Sequence, residues 1–228
     1  MKEIIFTNML GFDFFPPKPA IKEIPNWYIE TPEYMNSLGR KVVEDNKTTH
    51  TIKKCIPVFD AITTGYILYT QVDVQITQQN GLPFYSWASQ NFVEFHPIEQ
   101  APLHPKKMNA PYPKWKNPYG ISTPPGYSVL FTQPFHRESV FTILPGVVDT
   151  DTLKAAVSFP FVLNDVNWEG IIPAGTPMAQ VIPFKRDSWK HKIGSDKERK
   201  EQNLSISKLK TLFFNSYKRQ FWSRKEYK

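Results

Sequence analysis

The order of apolar and polar positions changes character three times along the chain. A strand-like run at Glu3–Asn8 gives way to Phe14-Phe15-Pro16-Pro17-Lys18-Pro19, with Trp27 and Tyr28 close behind. A segment so rich in aromatic side chains is too apolar for a solvated linker, so it is expected to lie across the body of the domain and cover it. Residues 38–54 read as a short helix or a polar connection. From Ile62 the period becomes two: Gly65-Tyr-Ile-Leu-Tyr-Thr, then Val72-Asp-Val-Gln-Ile in strict alternation, then Gln78-Gln79-Asn80-Gly81, a hairpin signal. Further strands are predicted at 83–95, 126–132, 140–144, 156–163 and 170–183, with the proline-rich stretch 97–118 as an ordered loop. After Trp189 the chain turns polar, and Leu204 onward predicts an amphipathic helix, with Leu209, Leu212, Phe213, Tyr217 and Phe221 at spacings of three and four.

Short strands at such close spacing predict a mainly β protein, a distorted barrel or sandwich, with an amphipathic α-helix at the C-terminus. The 21 prolines against 10 glycines argue against a helical bundle. The chain divides on this reading into a cover segment at 1–60, a β core at 61–189 and a basic helical tail at 190–228. At 228 residues it is long enough for one sizeable core with extensions.

Charge sharpens the picture of the tail. The net charge is +7, yet residues 185–228 hold 14 Lys and Arg against 5 Asp and Glu, leaving the first 184 residues at −2. The basic helix is therefore read as an interaction surface made of Lys208, Lys210, Phe213, Tyr217, Lys218, Arg219, Phe221 and Trp222. It suits docking on a protein partner through its apolar stripe, while its lysines leave nucleic acid open as a partner. No apolar run is long enough to span a membrane. The opening Met-Lys-Glu-Ile-Ile-Phe lacks the run of a secretory signal, so the expected location is a cytoplasm, of a host or with a virion. The single cysteine, Cys55, excludes an internal disulfide and is expected as a small buried apolar residue.

Four stretches resemble, in order and rough spacing, the motifs of dUTPases and dCTP deaminases: Thr64-Gly-Tyr-Ile-Leu-Tyr, Pro124-Pro-Gly-Tyr-Ser-Val-Leu-Phe-Thr-Gln-Pro, Gly146-Val-Val-Asp-Thr-Asp, and Gly175-Thr-Pro-Met-Ala-Gln-Val-Ile. That resemblance, over about 60–184, implies the β-clip fold and an assembly that is usually a trimer. Gly146 and Gly175 are expected to mark sharp reversals, by positive φ or close backbone approach. With Lys54-Cys-Ile-Pro-Val-Phe-Asp-Ala-Ile-Thr-Thr-Gly-Tyr, Thr123-Pro-Pro-Gly-Tyr-Ser and Pro173-Ala-Gly-Thr-Pro-Met-Ala-Gln-Val-Ile-Pro-Phe-Lys-Arg-Asp, the chain also resembles a family carried by tailed cyanophages and some bacteria, which implies a viral setting and no particular activity.

The chemistry of those enzymes is not where the resemblance would put it. Ile67 stands at an acidic position, and Phe131-Thr-Gln-Pro replaces Arg-Ser-Gly, with Arg137 and Ser139 a few residues later. Asp151-Thr-Leu-Lys-Ala replaces Asp-Tyr-Arg-Gly-Glu, Gly175-Thr-Pro replaces Gly-Asp-Arg, and the glycine-rich C-terminal lid is missing. Losing the arginine, the stacking tyrosine, the carboxylate and the lid leaves little to hold a triphosphate. Asp149, Asp151, His136 and Gln180 remain as catalytic candidates. Glu94, His96, His104 and His136 contain the two histidines and carboxylate of a metal site, although His-Pro in a proline loop more often serves a structural hydrogen bond. Asp149 and Asp151 have the same bland reading, as turn carboxylates that satisfy backbone amides.

These residues together imply a non-catalytic β-clip protein, without cofactor, that assembles with itself, a trimer being one form, or with a partner, as a phage-encoded structural or accessory component. The alternative is an enzyme on a nucleotide or small metabolite, metal-dependent in one form, with a site near Asp149, His136 and Gln180.

Overall fold

The structure, a computed structural model, describes residues 2–35, 43–44, 47–48, 50–88, 91–100, 111–211 and 216–228. Its strands are β1 (Ile5–Asn8), β2 (Lys18–Pro19), β3 (Val43–Glu44), β4 (Lys47–Thr48), β5 (Tyr66–Tyr69), β6 (Val74–Gln79), β7 (Leu82–Ser86) and β8 (Val93–His96). There follow β9 (Tyr112–Trp115), β10 (Tyr119–Ser122), β11 (Tyr127–Thr132), β12 (Phe141–Ile143), β13 (Gly146–Val148), β14 (Phe159–Leu163), β15 (Gly170–Ile172) and β16 (Pro177–Lys185). The helices are α1 (Asn26–Glu30), α2 (Ile56–Thr63), α3 (Asp196–Thr211) and α4 (Ser216–Gln220). The protein is mainly β with a C-terminal α-helix, as its pattern predicts.

The chain forms two compact units: residues 1–23 and 65–186 with Tyr227, and residues 24–64 and 187–226 with Lys228. In the first unit all strand pairs are antiparallel. They form a five-stranded sheet β13-β11-β16-β5-β2, a four-stranded sheet β12-β14-β9-β8, a three-stranded sheet β15-β6-β7 and the pair β1-β10. One core draws on all of these sheets: Leu68, Val129, Phe131 and Val181 from the first, Trp115, Phe141 and Phe161 from the second, Ile76, Tyr85 and Ile172 from the third, and Ile121 from the pair. Short sheets that share a single core make a distorted barrel. At its centre Trp115 stacks on Phe161 with centroids 4.5 Å apart, and both side chains are fully buried.

The strict alternation read from Val72 is realised in β6, where Val74 and Ile76 are buried and Gln75 is exposed between them. Asn80 and Gly81 close the β6–β7 hairpin with φ of 52° and 76°, the pair of positive angles a type I′ turn requires. Gly175 takes φ +80°, in keeping with the expected reversal. Gly146 has no positive φ and open space around it, so it marks no forced corner; it opens β13.

Three elements depart from the sequence reading. The proline-rich stretch 97–118 is not all loop, since β9 lies within it between β8 and β14. Within 38–54 the described residues hold the short pair β3–β4 and a 3-10 turn at Ile52–Lys54, and α2 begins just beyond at Ile56, with Pro57 in the first turn, where its missing N–H costs nothing. The tail helix starts at Asp196, eight residues ahead of Leu204. There Glu198 supplies one half of a capping box: the Ser195 backbone N–H donates to its carboxylate, as does the Ser195 hydroxyl, and the group is held well below its ordinary pKa, at about 2.

Candidate functional site

The sheet β13-β11-β16 brings three strand ends to one place: the start of β11, the end of β13 and the end of β16. Val129 faces Val148 on one side, and Tyr127 faces Lys185 on the other. Asp149 and Asp151 therefore follow β13 directly opposite Arg186, which follows β16. The Arg186 guanidinium makes a two-pronged contact with Asp151, with Nη1 at 2.8 Å from Oδ1 and Nη2 on Oδ2. Nη1 also lies 3.2 Å from the Ser128 hydroxyl and 3.2 Å from Asp149 Oδ1. Ser128 in turn donates to Asp149 at 2.6 Å, and the Gly126 N–H donates to Asp151 at 2.8 Å. A further bond between the buried hydroxyls of Thr123 and Thr150, at 2.7 Å, fastens the same two loops.

These contacts decide what Asp151 is able to do. Its side chain is 7% exposed, and the Arg186 hydrogen bonds, followed by the Gly126 N–H, hold its carboxyl down to about 2. A carboxylate so stabilised as the anion is a poor proton acceptor near neutral pH, where a general base works best with a pKa close to the ambient value. Asp151 is thus committed to Arg186, while Asp149, 60% exposed, joins the same ion cluster at its solvent side.

Gln180 and His136 sit at the other end of β11. Gln180 lies on β16 opposite Thr132 and Ile67, and it is 1% exposed. Its Oε1 accepts the Phe135 N–H at 3.0 Å, which fixes the turn that holds His136 at φ 55°. That turn and residues 142–145 line a concave pocket of about 620 Å³, among them Phe135, His136, Ile143 and Leu144. The two ends of β11 are separated by the four-residue step from Ser128 to Thr132, about 13 Å at an ordinary strand rise. The structure therefore brings His136 to Gln180 and Asp149 to Asp151, but it does not gather all four. Arg137 and Ser139 are also engaged within the chain. The Arg137 guanidinium donates to the Glu23 carbonyl, and burial lowers its pKa; the Ser139 hydroxyl accepts the Phe141 N–H at 3.2 Å.

Of the metal candidates, Glu94 and His96 share one face of β8, two residues apart. Glu94 is bridged by Lys114 and Lys116, each at 3.1 Å, and their hydrogen bonds hold its carboxyl below its ordinary value. His136 lies in the turn after β11, and His104 lies outside the described residues. Among the described residues no three His, Cys, Asp or Glu side chains are grouped to hold a metal ion. Cys55 is exposed ahead of α2, contrary to the buried position expected for it.

The tail turns back on its own unit. Trp222 Nε1 donates to both carboxylate oxygens of Asp60 on α2 at 3.0 Å, and Lys225 reaches Asp60 at 2.5 Å. Lys218 lies 5.7 Å above the Trp222 ring, while Tyr217 stacks on Phe221 with both half in water. Gln220 ties α4 to the Lys208 carbonyl of α3 at 3.3 Å. Arg219 is exposed, Phe213 lies outside the described residues, and so does the side chain of Lys210. Leu204, Ile206 and Leu209 of α3 are exposed. Arg186, the pivot of the ion cluster, carries no signal in the sequence beyond its place just after the last predicted strand. Finding its role requires knowing that β13 and β16 flank β11, which no local motif states.

No protein-family model matches the chain, and no curated protein matches it. Among solved structures it is similar to a point mutant of the dUTPase from phage phi11 of S. aureus, reported for its coordination of a structural Mg(II) ion. The identity is 14%, the TM-score is 0.32, and the match covers 57% of this chain and 82% of that one. A likeness so loose carries no argument about ligand, site or assembly.

Proposed function

We propose that this chain is a non-catalytic β-clip protein that acts as a self-assembling or partner-binding component, in the setting of a phage-encoded structural or accessory protein. The observation that carries the reading is the engagement of Asp151 by Arg186 and Gly126 and of Asp149 by Arg186 and Ser128. The polar groups that survive from the nucleotide-enzyme pattern are consumed in holding strands together, Gln180 included. Assembly is favoured by an apolar row on the side of the five-stranded sheet turned away from the core. In it Leu130 pairs with both Val147 and Ile182, and Val147, on the edge strand β13, is 60% exposed. The expected oligomer is a closed ring, a trimer being the form the β-clip resemblance implies.

Light scattering on the purified chain tests this directly: an oligomer supports the reading, and a strict monomer that binds no virion component overturns it. A second reading places a small-molecule site in the pocket at His136, favoured by the left-handed backbone of that residue beside Gln180. A thermal-shift screen over nucleotides, with metal analysis of the pure protein, separates the two. A stabilising nucleotide or a bound metal favours the enzyme reading, and neither result leaves the binding component.

A further inference from the structure

Past Arg186 the backbone runs irregularly and in full exposure as far as Ser195. Within this stretch Trp189 is 91% exposed and Ile193 is 90% exposed, so the indole packs against none of the described residues. Its sequence neighbours Lys190, His191 and Lys192 are exposed as well. A bare aromatic ring followed by cations on exposed, irregular backbone joins the two components of single-strand recognition, a stacking surface and phosphate contacts.

The charge of the whole chain is partitioned the same way. The first unit holds 11 Lys and Arg against 11 Asp and Glu and is neutral; the second holds 17 against 10 and carries the entire +7. Not all of these cations are neutralised locally. Lys225 meets Asp60, Arg199 meets Asp196 at 3.0 Å, and Lys192 meets Glu198 at 3.4 Å. Lys190, Lys197, Lys200 and Arg219 have no carboxylate partner among the described residues.

We propose that Ser188–Ile193, together with the cationic helix α3 that follows, binds single-stranded nucleic acid, with Trp189 stacking on a base and Lys190 and Lys192 meeting the flanking phosphates. A single strand fits better than a duplex because only an unpaired base offers its face to a ring. A ring set beside cations matches the alternation of base and phosphate along a nucleic-acid strand, which an acidic peptide does not require, and polyglutamate tests that alternative. A membrane surface is disfavoured by α3 itself: Asp196–Asn203 holds no apolar residue, so the helix has no continuous face to bury among lipids. Recognition of this kind tolerates any sequence and weakens with salt.

The inference goes beyond the assembly reading, which light scattering in the absence of nucleic acid measures separately. The test is fluorescence anisotropy of a labelled oligothymidylate of about 20 nucleotides with the full-length chain, between about 50 and 200 mM salt. The expected result is salt-dependent binding that W189A weakens about tenfold with its salt slope unchanged, and that W189F largely restores. Replacing Lys190 and Lys192 together by Ala should reduce the log–log salt slope by about 1.4, the contribution of two phosphate contacts on a single strand. All three side chains are exposed, so the variants should keep the far-ultraviolet spectrum and melting temperature of the parent. The proposal is overturned by absence of binding at low salt, by W189A binding like the parent, or by W189F binding no better than W189A. Equal or tighter binding to duplex DNA, polyglutamate or anionic vesicles overturns it as well.

Discussion

Gly65 and Gly81 have the same φ of +76° and very different surroundings. A Cβ on Gly65 would lie 2.0 Å from the Val181 carbonyl oxygen, whereas a Cβ on Gly81 would meet nothing within 4 Å. Gly81→Ala should therefore cost about 1 kcal/mol through its backbone angle alone, and Gly65→Ala about 3 kcal/mol or more, because β16 must move as well. Urea unfolding of the two variants checks the difference. Tyr85 gives the opposite sign: its buried hydroxyl has no hydrogen-bond partner among the described residues, and burial pushes its pKa well above the ordinary value. Tyr85→Phe removes an unsatisfied polar atom and should raise stability by about 1 kcal/mol, read as a higher melting temperature. The Asn80-Gly81 turn is legible in the sequence because its requirement is local. The need for glycine at position 65 is not, because it comes from a strand more than a hundred residues away.

The ion cluster of Arg186 acts on elements, fastening the loop after β13 to both ends it faces. Asp151 has a folded pKa of about 2, below its unfolded value near 4. A depressed carboxylate contributes stability that is complete above pH 4 and disappears as the pH falls through about 2. Thermal melts should accordingly show the parent losing stability more steeply than Asp151→Asn between about pH 4 and pH 2, and equal slopes would remove the cluster from the account. The β strands with strict alternation or clear turn punctuation can be read ahead of the structure. β9 cannot, since Pro113 lies inside a strand with neighbours on both sides, a place proline rarely occupies, although Tyr112 and Trp115 are buried. The true start of α3 is written in Ser195-x-x-Glu198, but the polar residues between them hide it from any search for apolar periodicity.

For the molecule as a whole, the assembly reading makes Val147 the informative position. Val147→Lys leaves the core untouched and should change stability by no more than about 0.5 kcal/mol. Light scattering should nevertheless show a smaller particle, as the edge of the sheet gains a charge that resists pairing. Composition reveals that the positive charge belongs to the tail, but not that the tail joins residues 24–64 in one unit; that depends on Asp60 meeting Trp222 and Lys225 across the length of the sequence. The candidate site is legible as residue types and not as a constellation, because Asp149 and Gln180 lie at opposite ends of β11.

The confinement of all net charge to one unit has a colloidal consequence. Mutual repulsion between copies keeps a protein dispersed, and here a single unit supplies it while the other is neutral at pH 7. A polyanion added to charge equivalence would cancel that repulsion and leave the apolar sheet faces of neighbouring molecules free to meet. Turbidity should therefore peak near stoichiometric neutralisation and clear again in excess polyanion or high salt.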